Sequence, residues 1–171
     1  IMMNYTFITD RTFGMLTILT VYDCDMGMVL PLSVEEKGPI EYAIKSVVEN
    51  IDYWGRKAIV LRVDGEPAIK SLTGAIRAHR HGSTSLEVEP RDSPSSMGSV
   101  ENMNKEVENL VRCMALFLKD TGRILLHSNH SLLPWLVRHC GWCISVYKVR
   151  SDGRTGYERL KGRPYGGKIA M

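Results

Sequence analysis

Two acidic residues, Asp64 and Glu101, have the sequence surroundings of metal ligands. Asp64 directly follows the apolar run Ala58–Val63, and Glu101 lies three residues after Gly98 at the start of an amphipathic segment. Mg²⁺ prefers oxygen ligands, and carboxylates from separate chain segments can converge on it. The sequence therefore predicts that a strand end and a helix start bring these two carboxylates to a divalent cation.

Each acid alone also has an ordinary structural explanation. An acid at a strand end often supports the following turn, and an acid in the first turn of a helix is stabilised by the helix dipole. The pairing of Asp64 with Glu101 is what favours metal binding. Lys105, one turn beyond Glu101, is predicted either to contact phosphate or to remain solvated, and Asn104 beside it has the same two interpretations.

The periodicity of apolar residues predicts the elements that position these acids. Three strands that form an antiparallel meander are expected at 5–8, 15–22 and 28–32. Two further strands are expected at 58–63 and 84–88, and helices at 40–54, 68–76, 100–118 and 132–149. The polar, proline-containing segment 90–96 is expected to be a loop.

Composition restricts the class of protein. A chain of 171 residues with 44% hydrophobic and 24% charged residues fits one globular domain rather than a disordered segment. No apolar run reaches the roughly 20 residues that span a bilayer, and the N-terminus shows no secretory leader. Four cysteines are too few for a disulfide scaffold at this length, which favours a reducing compartment.

Charge is distributed unevenly along the chain. Residues 1–54 hold three basic and eight acidic residues, a net charge of −5, whereas residues 148–171 hold seven basic and two acidic residues, a net charge of +5. Such a tail suits a polyanionic partner, and a solvated C-terminal arm is the alternative. Its basic residues are Lys148, Arg150, Arg154, Arg159, Lys161, Arg163 and Lys168.

The order of elements and two motifs resemble the ribonuclease-H-like catalytic core of retroviral and retrotransposon integrases. Residues 61–66 (Leu-Arg-Val-Asp-Gly-Glu) resemble that family's strand ending in Asp, and residues 98–101 (Gly-Ser-Val-Glu) resemble its Gly-x-x-Glu helix start. The 36 residues between the two acids are close to the family spacing. The segment 152–163 resembles the region that follows the core in copia-like retrotransposon polyproteins, which implies a piece of a polyprotein.

The resemblance implies an α/β, ribonuclease H-like fold: a mixed five-stranded sheet, made of a three-stranded antiparallel meander plus parallel strands, flanked by helices. It implies an integrase catalytic core over 1–125, continued by a C-terminal helix and basic tail over 126–171. The implied activity is DNA strand transfer with two Mg²⁺ or Mn²⁺ ions. Implied partners are double-stranded DNA, both element ends and target, and a second copy in a homodimer. The expected location is the nucleus or an intracellular nucleoprotein particle, neither secreted nor in a membrane.

By the same resemblance, the third metal ligand lies on the first strand, where this chain has Asn4. An amide oxygen can coordinate a cation but carries no charge, so we expect weakened metal binding and an inactive or impaired site. Asp10, past the end of the first strand, and Asp23, at the end of the second, are the alternative sources of the missing charge.

Two other functions remain open from the sequence. A catalytically silent DNA-binding or assembly module with the same fold would bind DNA in a salt-sensitive, sequence-tolerant way. A ribonuclease H proper is less favoured, because that class usually gathers a fourth acid and the sequence offers no clear candidate.

Zinc-type ligands and tryptophans have structural explanations. His127 and His130 precede Cys140 and Cys143, but both cysteines lie on an apolar helix, which predicts buried thiols and no zinc. The three tryptophans are expected to pack in the core rather than to stack on bases. They are Trp54, Trp135 and Trp142.

Overall fold

Strands and helices alternate along the part of the chain that this computed structural model describes, residues 1–10, 14–89, 97–127 and 129–167. The strands are β1 (Met2–Asp10), β2 (Gly14–Asp23), β3 (Met28–Val34), β4 (Ala58–Val63) and β5 (Ser83–Val88). The helices are α1 (Glu41–Tyr53), α2 (Pro67–His79), α3 (Gly98–Gly122), α4 (Leu132–Tyr147) and α5 (Gly156–Lys161). The loop predicted at 90–96 lies outside the described residues, as do Arg11 and Lys168.

The five strands form one mixed sheet in the order β3-β2-β1-β4-β5. β1, β2 and β3 pair antiparallel, whereas β4 runs parallel to β1 and β5 runs parallel to β4. This arrangement confirms the predicted meander with added parallel strands. The β1–β4 ladder is short, since it pairs Met2 with Arg62 and Met3 with Val63. From Asn4 onward, β1 therefore extends beyond the paired part of β4.

Alternation along β1 divides its side chains between two buried layers. Met2 and Ile8 pack with residues of α3 and α4, whereas Met3 packs with residues of α1 and α2. Because successive side chains of a strand point to opposite faces, Asn4 and Thr6 share the face of Met2 and Ile8. The polar residues of β1 are thus placed under α3.

A glycine lets α4 lie close to the edge strand β3. A Cβ atom on Gly141 would lie 2.1 Å from the Cδ atom of Pro31, too close for any side chain at this position. The Ser145 hydroxyl accepts a hydrogen bond from the Val29 N–H at 3.0 Å. Close packing of α4 on β3 leaves α3 to cover β1 and β2 on the same face of the sheet.

The C-terminal segment contains a short helix, α5, that the apolar periodicity did not predict. Thr155 caps this helix by a capping box, in which the Glu158 N–H donates to the threonine hydroxyl and the Glu158 carboxylate accepts from the Thr155 N–H. The sequence pattern Thr-x-x-Glu carries this signal, but six residues are too few to show helical periodicity. α4 also ends at Tyr147, two residues earlier than predicted.

None of the helices in the described ranges has both the length and the apolar character that crossing a bilayer requires.

Candidate functional site

The site is built at the point where β4 ends beside β1. Met3 and Val63 form the last pair of the parallel β1–β4 ladder. The residue that follows Met3 is Asn4, and the residue that follows Val63 is Asp64. Adjacent strands lie about 4.8 Å apart, so Asn4 and Asp64 are neighbours across the end of this ladder. Both residues are half-buried. Two of the three predicted metal ligands therefore lie together.

Asp64 also organises the start of α2. Its Oδ1 atom accepts a hydrogen bond from the Glu66 N–H at 3.0 Å, and Glu66 is the N-cap residue of that helix. This contact is the turn-supporting role that the sequence offered as an alternative. It occupies one carboxylate oxygen, so the other oxygen remains for a cation or a further donor.

The helix α3 carries Glu101 in its first turn, with the side chain exposed. Asn104 and Glu108 follow at i+3 and i+7, spacings that place all three residues along one flank of the helix. Glu108 accepts a hydrogen bond from the Thr6 hydroxyl on β1. Since Thr6 and Asn4 share a face of β1, this flank of α3 lies over the strand that carries Asn4.

The opposite flank of α3 is directed toward α4. The Cys140 thiol of α4 contacts the Met114 sulfur of α3 at 3.5 Å, while Val107 and Val111 form the buried line between the two flanks. Val60 of β4 is 47% exposed, so the sheet is not fully covered on the β4 side of β1.

Two buried oxygens near this flank have no hydrogen-bond partner. Asn104 is 5% exposed and its Oδ1 atom is unpartnered, and Thr20 is fully buried with an unpartnered hydroxyl. Thr20 is the cross-strand neighbour of Asn4 in the β1–β2 ladder, so their side chains share a face. Buried polar atoms are normally paired, and these two mark the region as one that can accept a ligand or a water molecule.

The donor atoms suit a hard divalent cation in type, with carboxylates at Asp64 and Glu101 and an amide oxygen at Asn4. Among the described residues, no three His, Cys, Asp or Glu side chains come together as a metal-binding group. The asparagine at position 4 supplies an oxygen but no charge, and it does not belong to those four residue types.

Asp23 is not available as a metal ligand, contrary to the alternative that the sequence left open. It is 2% exposed and forms two hydrogen bonds with Arg56, at 2.6 and 2.8 Å. Burial alone would raise the pKa of Asp23, but the hydrogen bonds from Arg56 and from the Met26 N–H hold that pKa below its usual value. Asp23 is therefore a structural ion-pair partner, and the side chain of Asp10 lies outside the described residues.

Most of the described basic tail is engaged in packing rather than free for a polyanion. Arg150 donates hydrogen bonds to the Tyr22 hydroxyl at 2.6 Å and to the Gly27 carbonyl at 3.3 Å. Arg159 donates to the Asp25 carbonyl at 2.6 Å and pairs with Asp152. Lys148 pairs with Glu106, and the ammonium of Lys161 lies over the Tyr53 ring. Arg154 and Arg163 are exposed, as is Lys105 on α3.

The zinc-type ligands have separate local roles. The His130 Nδ1 atom accepts from the Leu132 N–H at 3.1 Å, and Cys143 lies 3.5 Å from the His139 Nε2 atom. Burial raises the pKa of the Cys140 thiol to about 12, whereas zinc binds the thiolate. Cys140 is buried as predicted, and Cys143 is partly buried.

The prediction that all three tryptophans are in the core is wrong for Trp135, which is 56% exposed, whereas Trp54 is buried. Trp135 stacks on His139 at 4.7 Å between ring centroids, and His139 stacks on Trp142 at 5.4 Å. Helical spacing i, i+4, i+7 produces this stripe on α4. It borders an open groove of about 580 Å³ beside Tyr53 of α1.

Solved structures of integrases have the same fold as this chain. A chain of the simian T-cell lymphotropic virus intasome in complex with PP2A regulatory subunit B56 gamma superposes with a TM-score of 0.71 at 17% identity. That match covers 99% of this chain and 56% of the other, so this chain spans just over half its length. The HTLV-2 integrase catalytic core domain in complex with magnesium gives TM-scores of 0.64 in its trimeric form and 0.63 in its dimeric form, each at 16% identity. Those matches cover 93% and 94% of this chain and 93% of each HTLV-2 chain.

The catalytic core domain of BIV integrase gives a TM-score of 0.62 at 13% identity, over 92% of this chain and 90% of the other. The sequence matches no protein-family model and no curated protein. The chain therefore has the fold of a retroviral integrase catalytic core. Sequence identities of 13–17% support this statement about the fold and no statement about activity.

Proposed function

We propose that this chain is the catalytic core of a retrotransposon integrase, a polynucleotidyl transferase that joins the ends of element DNA to target DNA. The observation that carries the proposal is the β1–β4 register, in which Asn4 and Asp64 directly follow the last pair of the ladder. The Thr6–Glu108 hydrogen bond joins the same strand to the helix that bears Glu101. The integrase fold and the two sequence motifs support it. In this role the chain would be part of a copia-like polyprotein and would act in the nucleus or in an intracellular nucleoprotein particle.

Different residues of the site would bind the cation and the DNA. Bound divalent ions supply charge neutralisation and activation of the attacking hydroxyl in phosphodiester chemistry. Asp64 and Glu101 would hold Mg²⁺ or Mn²⁺, and Asn4 would add a neutral oxygen. Lys105 is exposed one turn from Glu101, where its ammonium group could contact a DNA phosphate. Asn104, buried beneath, would orient the bound ligand rather than contact the DNA.

The proposal is tested by Mn²⁺-dependent nicking and strand transfer on labelled oligonucleotide duplexes. The comparison includes the unmodified chain, Asn4→Asp, and Asn4→Asp combined with Glu101→Gln. We expect activity from Asn4→Asp, little or none from the unmodified chain, and loss of the gained activity when Glu101 is changed. Activity that survives Glu101→Gln would reject the site, and inactivity of all three proteins would favour a silent module.

The second candidate function is a catalytically silent DNA-binding or assembly module of the same fold. The observation that favours it is the amide of Asn4 in place of a carboxylate. It predicts DNA binding that weakens steeply with salt and ignores sequence. Fluorescence anisotropy with duplexes of unrelated sequence, from low to moderate salt, tests it, and affinity independent of ionic strength would exclude it.

We further propose that two copies associate through the exposed faces of α1 and α4. Trp135 is a large exposed apolar side chain at the groove beside α1, and Arg138 is exposed next to it. Tyr53 of α1 is 56% exposed and lines the same groove, so both helices present an exposed aromatic side chain there. Light scattering after size exclusion is expected to show a dimer for the unmodified chain and a monomer for Trp135→Glu. A monomeric unmodified chain at high concentration would refute the proposal.

A further inference from the structure

Within the described residues, one polar contact links the strand that carries Asn4 to the helix that carries Glu101. The Thr6 hydroxyl donates to the Glu108 carboxylate, between residues 102 positions apart in the chain. We infer that Thr6 and Glu108 are positioning residues, whose hydrogen bond sets the height of Glu101 and Asn104 over the Asn4–Asp64 edge. This inference rests on the proposed metal-dependent function of that edge.

The geometry of β1 and α3 explains how this contact can position residues further along both elements. Thr6 is two residues from Asn4 on the same face of β1, a rise of about 7 Å. Glu108 is seven residues from Glu101 on the same flank of α3, a rise of about 10 Å. Because the helix and the strand are rigid, fixing Glu108 at Thr6 also fixes the position of Glu101 relative to Asn4. Loss of the contact would let this flank shift relative to β1, while the buried line of Val107 and Val111 keeps the helix on the sheet.

The Thr6–Glu108 bond is partly shielded from solvent, which strengthens it. The Glu108 side chain is 18% exposed, and Thr6 is half-buried. The other partner of Glu108 is Arg112, at 3.4 Å on the same helix, which orients the carboxylate without tying α3 to the sheet. Hydrogen bonds to a charged acceptor are stronger than those between neutral groups.

The other contact that ties α3 to the rest of the described chain through a charged side chain lies on the opposite flank. The Glu106–Lys148 pair ties the helix to the residue that follows α4. At the start of α3, Met97 provides no side-chain cap, so apolar packing of Met97 and Val100, and no capping hydrogen bond, holds the first turn with Glu101. In the described part of the chain, Thr6–Glu108 is thus the polar contact placed to hold this flank on the strand.

The test measures Mn²⁺ affinity by electron paramagnetic resonance in the Asn4→Asp protein, where the acidic site is complete. Thr6→Val and Glu108→Ala remove the hydrogen bond, while Thr6→Ser and Glu108→Gln can still form it. Glu106→Ala is the matched control, since it removes an ion-paired glutamate from the other side of the same helix. Thermal unfolding of every variant separates loss of fold from loss of affinity.

We expect Thr6→Val and Glu108→Ala to weaken Mn²⁺ binding roughly 10- to 100-fold, the usual effect of losing a residue that orients a metal ligand. Thr6→Ser, Glu108→Gln and the control should retain most of the affinity. Unchanged affinity in Thr6→Val and Glu108→Ala would overturn the inference. A loss in Glu108→Gln as large as in Glu108→Ala would also overturn it, because the charge and not the hydrogen bond would then matter.

Asp64→Asn separates failure of this inference from failure of the proposed function. If Asp64→Asn abolishes Mn²⁺ binding while the Thr6 and Glu108 variants do not, the metal site stands and only the positioning role is rejected. If the Asn4→Asp protein binds no Mn²⁺, or if Asp64→Asn leaves its binding unchanged, the metal site itself is rejected.

Discussion

Replacing Asn4 by Asp should make the stability of this protein depend on divalent cations. The new carboxylate would stand beside Asp64 across the end of the β1–β4 ladder, in a half-buried position. Without a cation, two neighbouring negative charges repel each other and destabilise the folded chain. With Mn²⁺ bound between them, the same two charges become ligands and stabilise it.

The magnitude follows from the spacing of adjacent strands. At a charge separation of about 5 Å, the repulsion is roughly 3 kcal/mol at an effective dielectric constant of 20 and below about 1 kcal/mol in water. Half-burial places the value between these limits, at about 2 kcal/mol. For a chain of this length, we therefore expect the melting temperature in EDTA to fall by about 4–8 °C. Mn²⁺ at about 100 times its dissociation constant would raise the free energy of unfolding by roughly 2.7 kcal/mol, enough to reverse the destabilisation by charge repulsion.

Differential scanning calorimetry of four proteins, in EDTA and in Mn²⁺, measures both effects. The proteins are the unmodified chain, Asn4→Asp, Asp64→Asn, and the double variant, which keeps one carboxylate at the ladder end. The double variant should lose both the destabilisation in EDTA and the response to Mn²⁺. An Asn4→Asp protein that melts at the same temperature in EDTA as the unmodified chain would refute the inferred proximity, as would a Mn²⁺ response that persists in the double variant.

Two other substitutions test the packing around the site. Asp23→Asn should destabilise the fold by roughly 2–4 kcal/mol at neutral pH, because it leaves Arg56 without its buried partner. Since the folded-state pKa of Asp23 is depressed, the stabilisation is complete above the unfolded-state pKa of about 4 and is lost as pH falls through the folded value, so urea unfolding of the two proteins should converge in acid. Gly27→Ala should cost roughly 2–3 kcal/mol, because the residue has φ +84° and a Cβ would stand 2.0 Å from the Arg150 Nε atom. Gly153→Ala is its control, with φ +79° and no atom within 4 Å of the added Cβ, and an equal loss in both variants would show that backbone strain alone accounts for the effect.

Local patterns predicted most of the elements. The helical spacing of apolar residues from Ile40 to Trp54 and the unbroken apolar run before Asp64 gave α1 and β4 nearly to their observed bounds. The short helix α5 was missed, because it forms by capping and by contacts with the β2–β3 turn, from Gly156 to Gly27 and from Arg159 to the Asp25 carbonyl, rather than by an apolar stripe. The charge count of the basic tail likewise could not show that Arg150 and Arg159 donate to backbone carbonyls, because those contacts join distant parts of the chain.

The sequence by itself determined the α/β order, the acids at a strand end and at a helix start, and the neutral residue in β1, because these depend on residue type and short-range periodicity. Tertiary structure decided that Asn4 adjoins Asp64, that Asp23 is sequestered by Arg56, and that Thr6 meets Glu108. It also decided that Trp135 is exposed, since this side chain borders the open groove beside α1. Contacts of this kind join residues tens of positions apart, and their geometry is set by strand register and helix packing, which no local pattern specifies.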